Sequence, residues 1–320
     1  MKIKFEVWER LWVSFSFLLI CLPGCALHLE EAVRGEESQP KMATKEAVQT
    51  QTSFQNYESL HFKIRGTHYE KMVLTANLCE ELYGKIMFDT NLLSFKPREN
   101  YLLTIYPTRE EYHLKTGYPE WSGGVTITQN LGQILPEEKE QRQRIAIATF
   151  EEMAQAPLLA HELSHLIFNE FMGFTRPEDL KTVLWVNEGF ASYEELAAYE
   201  KEEKEEYLKI ITLQLKQNLT SMEQIIETIP MQEKLQWIGV YDYKGKTFVY
   251  SNIDLWYWQV RSIVSFLIEK GGNYNFFLFL NSLRGNKDLN KALADAYPGK
   301  WKSQAELELE WKNILIQNLP

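Results

Sequence analysis

The stretch His161-Glu162-Leu163-Ser164-His165 constrains this chain more than any other. On a helix, residues four apart lie one turn apart on the same face. His161 and His165 can therefore address one metal ion, and Glu162, one step round, can reach a water on that ion. The same spacing also fits an amphipathic helix with two half-exposed histidines. Such a pattern arises by chance in roughly one chain in a hundred of this length, so a third ligand has to decide. A catalytic zinc site needs three protein ligands and one open position.

Glu188 supplies the candidate. It follows His165 by 22 intervening residues, enough for one helix to end and a second to return. Gly173 and Thr175-Arg176-Pro177-Glu178-Asp179 mark the break. A lone glutamate is ordinarily a solvated surface group, but Trp185, Val186, Phe190 and Ala191 around Glu188 have core character. Glu195 lies two helical turns beyond Glu188 on the same face and is expected to hydrogen-bond a ligand histidine from behind. The charged run from Glu194 to Glu206 reads as a solvated helix face.

His-Glu-x-x-His at 161–165 followed by Trp185-Val186-Asn187-Glu188-Gly189-Phe190-Ala191 resembles the gluzincin metallopeptidases. The second block is similar to the aminopeptidase N type, with a longer interval before the glutamate. Tyr257-Trp258-Gln259-Val260-Arg261-Ser262, then Gly271-Gly272, is similar to the smaller peptidase MA-like proteins. The resemblance spans roughly residues 60 to 315, its specific motifs in three short blocks. It implies one zinc ion per chain on His161, His165 and Glu188, with Glu162 as general base for an activated water. It also places Tyr257 where its hydroxyl would stabilise an oxyanion; the alternative is a core aromatic beside Trp256 and Trp258. In that family a strand at Trp121-Ser122-Gly123-Gly124-Val125-Thr126-Ile127-Thr128 borders the cleft. Gly123 and Gly124 would then let an extended peptide substrate approach and pair, the alternative being a simple hairpin turn. The Gly-x-Met-Glu-Asn block that anchors a substrate amine in aminopeptidase N-type enzymes is absent, which favours an endopeptidase.

The N-terminus suggests where such a body works. Lys2, Lys4 and Arg10 precede an apolar run over 11–22, too short to span a membrane comfortably but right for a signal-peptide core. It ends in Leu22-Pro23-Gly24-Cys25, which resembles a bacterial lipobox, so residues 1–25 are expected to be a signal segment with lipidation at Cys25. An ordinary cleaved signal and an uncleaved anchor are the alternatives. Residues 26–57 are polar and acidic and read as a flexible tether. The expected location is a bacterial cell envelope, lipid-anchored and facing periplasm or exterior. A net charge of −10 with no Lys/Arg cluster excludes a nucleic-acid partner, leaving a peptide or protein substrate and the membrane.

The remaining residues predict an α+β fold. Residues 58–150 form a β-rich subdomain with a small mixed sheet, and 151–320 a mostly helical zinc-binding lobe. The resemblance implies a thermolysin-like zincin core with zinc in the cleft between them. Strands are expected at 60–65, 101–106 and 145–148, and helices at 69–88, from 108, from about Glu151–Pro157 to Met172, from Tyr257 to Gly271, and over 275–283 ending at Gly285. Ser303-Gln304-Ala305-Glu306 should start the last helix as a capping box. Residues 231–250 read as an irregular aromatic stretch. Cys79 reads as a small buried residue, and His61, His68 and His113 as structural or surface groups. The rival from another class is a non-catalytic gluzincin-like lipoprotein serving as a binding or assembly module. A structural zinc would need a fourth Cys or His ligand, and none is evident.

Overall fold

The computed structural model describes residues 53–118, 122–128, 145–173 and 181–317. The signal segment, Cys25, nearly all of the tether, Trp121, residues 129–144 and the expected break at 175–179 lie outside the described residues. The fold is α+β, with one small mixed sheet and a larger set of helices.

Five strands form the sheet in the order β1-β2-β3-β5-β4: β1 (Gln55–Glu58), β2 (Phe62–Gly66), β3 (Tyr101–Tyr106), β4 (Gly124–Thr128) and β5 (Ile145–Phe150). β1 takes the last residues assigned to the tether. β3 is the central strand, parallel to both β2 and β5, and all six of its residues are buried. That burial is why Tyr101-Leu102-Leu103-Thr104-Ile105-Tyr106 reads as a continuous apolar run rather than an alternation. β4 runs antiparallel to β5 at the sheet's edge.

Helix α1 (Tyr69–Asp89) carries the chain from β2 to β3 and buries Met72, Ala76, Cys79, Leu82, Ile86 and Met87. Cys79 is fully buried, and desolvation pushes its thiol well above the usual range, so it serves as an apolar residue. α2 (Arg109–Thr116) is capped by Thr108, whose hydroxyl accepts from the Glu111 N–H. His61 and His68 bond to Glu80 and Glu151, and His113 to the Tyr118 carbonyl, so none joins the metal site.

α3 (Ala156–Met172) starts with Pro157 in its first turn and stops at Gly173, φ +66°. From Leu158 to Met172 nearly every residue is buried, so the helix runs through the core and is not an amphipathic surface helix with half-exposed histidines. α4 (Leu184–Ala197) packs between α3 and α7 (Asn252–Gly271). α5 (Lys201–Gln217) and α6 (Met222–Glu227) follow, and α8 (Asn273–Asn286), α9 (Leu289–Ala296) and α10 (Gln304–Gln317) complete the helical side. One apolar cluster runs from Phe62 and Ile64 through α3, α4 and α7 to Leu307 and Trp311. The division near residue 150 is therefore one of secondary-structure type, with a core shared across it.

Several expected boundaries need correction. Residues 231–250 contain an antiparallel hairpin, β6 (Trp237–Tyr243) and β7 (Lys246–Ser251). Its two-residue turn is Lys244-Gly245, both at positive φ (50° and 72°), the backbone that matches strand twist. α7 begins at Asn252, ahead of Tyr257, because Ser251 and Asp254 form a reciprocal capping box. α8 passes through Gly285 and ends where Lys287 turns left-handed, φ 55°. At α10 the Glu306 N–H bonds to the Ser303 hydroxyl, but the Glu306 carboxylate accepts from Lys302 N, so the expected box is only half made. Glu194, assigned to a solvated face, is buried because Lys85 of α1 reaches it at 2.7 Å.

Gly189 sets the α4–α7 spacing. A Cβ there would lie 2.5 Å from the Val260 carbonyl oxygen and 2.7 Å from Val264 Cγ2. Only a residue without a side chain lets the two helices approach this closely. Gly189→Ala should lower unfolding stability by about 1–3 kcal/mol in denaturant titration, the usual cost of overpacking. An unchanged midpoint would show that the helices can separate freely.

Candidate metal centre

The α3 periodicity stacks His161 above His165, with ring centroids 4.8 Å apart. α4 returns across them and brings in Glu188, whose Oε2 lies 3.8 Å from His161 Nε2 and 3.5 Å from His165 Nε2. One ligand atom from each of the three residues falls within 4.8 Å of the others. The exposures of His161, His165 and Glu188 are 4%, 0% and 0%, so bulk water does not solvate these atoms.

Both Nε2 atoms and both Glu188 oxygens lack a hydrogen-bond partner. Native interiors rarely leave such groups unsatisfied, and four in one place need a common explanation. A divalent cation accounts for all of them. Two imidazole nitrogens and a carboxylate oxygen are a donor set suited to zinc, and no fourth His, Cys, Asp or Glu among the described residues joins the group.

The far side of each ring is occupied. His161 Nδ1 lies 2.8 Å from Glu195 Oε2, and His165 Nδ1 lies 3.0 Å from Asn187 Oδ1. The Asn187 amide N–H donates to Asn169 Oδ1 at 3.3 Å, which leaves its oxygen facing the histidine. With Nδ1–H donating to these oxygens, the Nε2 lone pairs face Glu188. Glu195 thus stands where the sequence expected it. Asn187 and Asn169 were not anticipated; Asn169 lies one turn beyond His165, but asparagine in a helix carries no periodic signal.

Burial favours the neutral forms of these groups. It holds both imidazoles down to about 3, so they stay unprotonated ligands at neutral pH. Burial, then the Glu162 and Glu195 charges, push Glu188 well above the usual carboxylate range. Burial pushes Glu195 up to about 8, with Arg261 pulling the other way.

Glu162 is buried one step round α3, its carboxylate 2.5 Å from the Thr126 hydroxyl, which also lies 3.0 Å from the Glu162 carbonyl oxygen. β4 is thereby tied to α3. Strand alternation puts Gly124 on the same face as Thr126, and a Cβ at Gly124 would come 3.1 Å from Leu158 Cδ2. A Cβ at Gly123 would meet only the flexible Met153 side chain, 2.7 Å from its Cε. Gly124 therefore lets the edge strand lie against the start of α3. Among the described residues β4 pairs only with β5. Tyr118, which the sequence did not single out, has its hydroxyl pushed up to about 12 by burial and then by the Glu162 charge. Tyr257 is buried on α7 with its ring edge-on to Trp256.

No protein-family model matches this sequence, and no curated protein is similar enough to match it.

A cation at this position has to displace protons. The histidines hold none at neutral pH, whereas burial raises Glu195 to about 8 and Glu188 above the usual carboxylate range, so protons compete with the cation for these carboxylates. Apparent zinc affinity should therefore rise by about tenfold or more from pH 6 to 8 and level off above. Calorimetry in buffers of different ionisation enthalpy should show proton release below pH 8. Proton uptake, or affinity independent of pH, would contradict the assignment.

Proposed function

We propose that this chain is a zinc-dependent peptidase of the gluzincin type with a thermolysin-like core, most simply an endopeptidase. The carrying observation is the convergence of His161 Nε2, His165 Nε2 and the Glu188 carboxylate, buried and without hydrogen-bond partners, one residue from a buried glutamate. His161, His165 and Glu188 would hold the ion. Zinc bound there supplies a Lewis acid that makes water nucleophilic near neutral pH.

The chain's own residues account for the rest. Glu162 takes a proton from the attacking water as oxygen adds to the peptide carbonyl carbon. It delivers that proton to the amide nitrogen as the C–N bond breaks. The Thr126 hydroxyl, 2.5 Å from its carboxylate, fixes the rotamer for this transfer. The edge of β4 supports a substrate lying extended beside it, held by main-chain hydrogen bonds. In this scheme Tyr257 serves as a hydroxyl donor to the oxyanion. The N-terminal sequence supports a lipid anchor at Cys25 that holds the body at a bacterial envelope surface.

Glu162→Gln is isosteric and leaves the three ligands intact. It should retain its metal and lose roughly 10²–10⁴-fold in cleavage rate on a mixed peptide library. Undiminished cleavage by that variant would refute the scheme.

A further inference from the structure

A concavity of about 240 Å³ opens beside a different face of α4, between α4, α5, α7 and α10. Leu208, Phe266 and Trp311 supply apolar wall, and Lys204, Lys270 and Glu269 stand around it. Arg261 also lines it, although only 6% of that residue is exposed. Its Nε finds no hydrogen-bond partner. Burial lowers the guanidinium to about 10, and Tyr207, Glu269 and Glu195 act on it only through space. Glu195 Oε2 is engaged with His161 Nδ1.

A guanidinium desolvated to this degree is ordinarily held by a bidentate oxyanion. Leaving its buried Nε unsatisfied is costly, and no described residue supplies that partner. The cavity is smaller than the roughly 300–1,000 Å³ of sites for drug-sized ligands, so the occupant is small. Its walls ask for an apolar body. A planar carboxylate on a short apolar chain matches the guanidinium fork beside these walls.

We propose that this cavity binds a monocarboxylate carrying a short apolar chain. The carboxylate sits on Arg261, and the chain lies against Leu208, Phe266 and Trp311. Two sources share this chemistry: a free medium-chain acid and the apolar C-terminal residue of a peptide. Binding here is independent of whether the metal centre cleaves peptides, so the two assignments stand or fall separately.

The test is titration calorimetry on the purified full chain with octanoate, octanamide, N-acetyl-leucine and N-acetyl-leucinamide. At least one carboxylate should bind ten times or more tightly than its amide. The stronger of octanoate and N-acetyl-leucine identifies the source. Arg261→Met should abolish the preference and, by removing an unpaired buried charge, should not lower the midpoint of thermal unfolding. Leu208→Trp, which fills the cavity and keeps the arginine, should also weaken carboxylate binding at least tenfold. Equal binding of acid and amide, no binding of either acid, or full binding by a folded Leu208→Trp protein would overturn the proposal.

Discussion

Two imidazole nitrogens and a carboxylate face one another inside the core of this protein, and none of them has a hydrogen bond to give or receive there. In an apolar interior each such group costs free energy, and an ionised carboxylate costs several kcal/mol. A dication held by these donors would convert the penalty into ligand bonds, and binding free energy of this kind is also folding free energy. The architecture around the three residues is consistent with that exchange. α3 is buried along almost its whole length, so its two histidines cannot turn to water. α4 can deliver Glu188 to them only because Gly189 lets it nest against α7.

The next layer fixes what the donors do. Glu195 and Asn187 occupy the Nδ1 sides of the rings, which aims both Nε2 lone pairs at Glu188. Asn169 fixes the orientation of Asn187, and Lys85 from α1 holds the end of α4 through Glu194. Thr126 then joins the sheet edge to Glu162. Short polar contacts thus link the edge strand to α3, and α3 to the returning helix α4. Each contact restricts a side chain that would otherwise have several rotamers, which is how a site acquires fixed geometry.

Much of this was legible in the sequence where a period carried it. The i, i+4 histidines, the apolar residues around Glu188 and the i+7 position of Glu195 all follow from helical spacing. The α+β class and most strand positions follow from apolar runs and their punctuation. Contacts between elements distant in the chain were not legible. Thr126 reaches Glu162 because β4 pairs antiparallel with β5 and then lies on α3, and no local pattern states that pairing. Glu194 resembles its exposed neighbours in sequence and differs only because Lys85 comes from another helix. The β6–β7 hairpin was missed because Lys244-Gly245 is a weaker turn signal than Asn-Gly, although both residues take the left-handed backbone such a turn requires.

The central claim is that the three convergent donors form a metal site, and metal content tests it most directly. The purified protein should carry about one zinc per chain, and His161→Ala and Glu188→Ala, still folded by circular dichroism, should carry essentially none. A folded native protein that takes up no zinc when the ion is supplied would contradict the account. So would zinc retained at full occupancy in both variants.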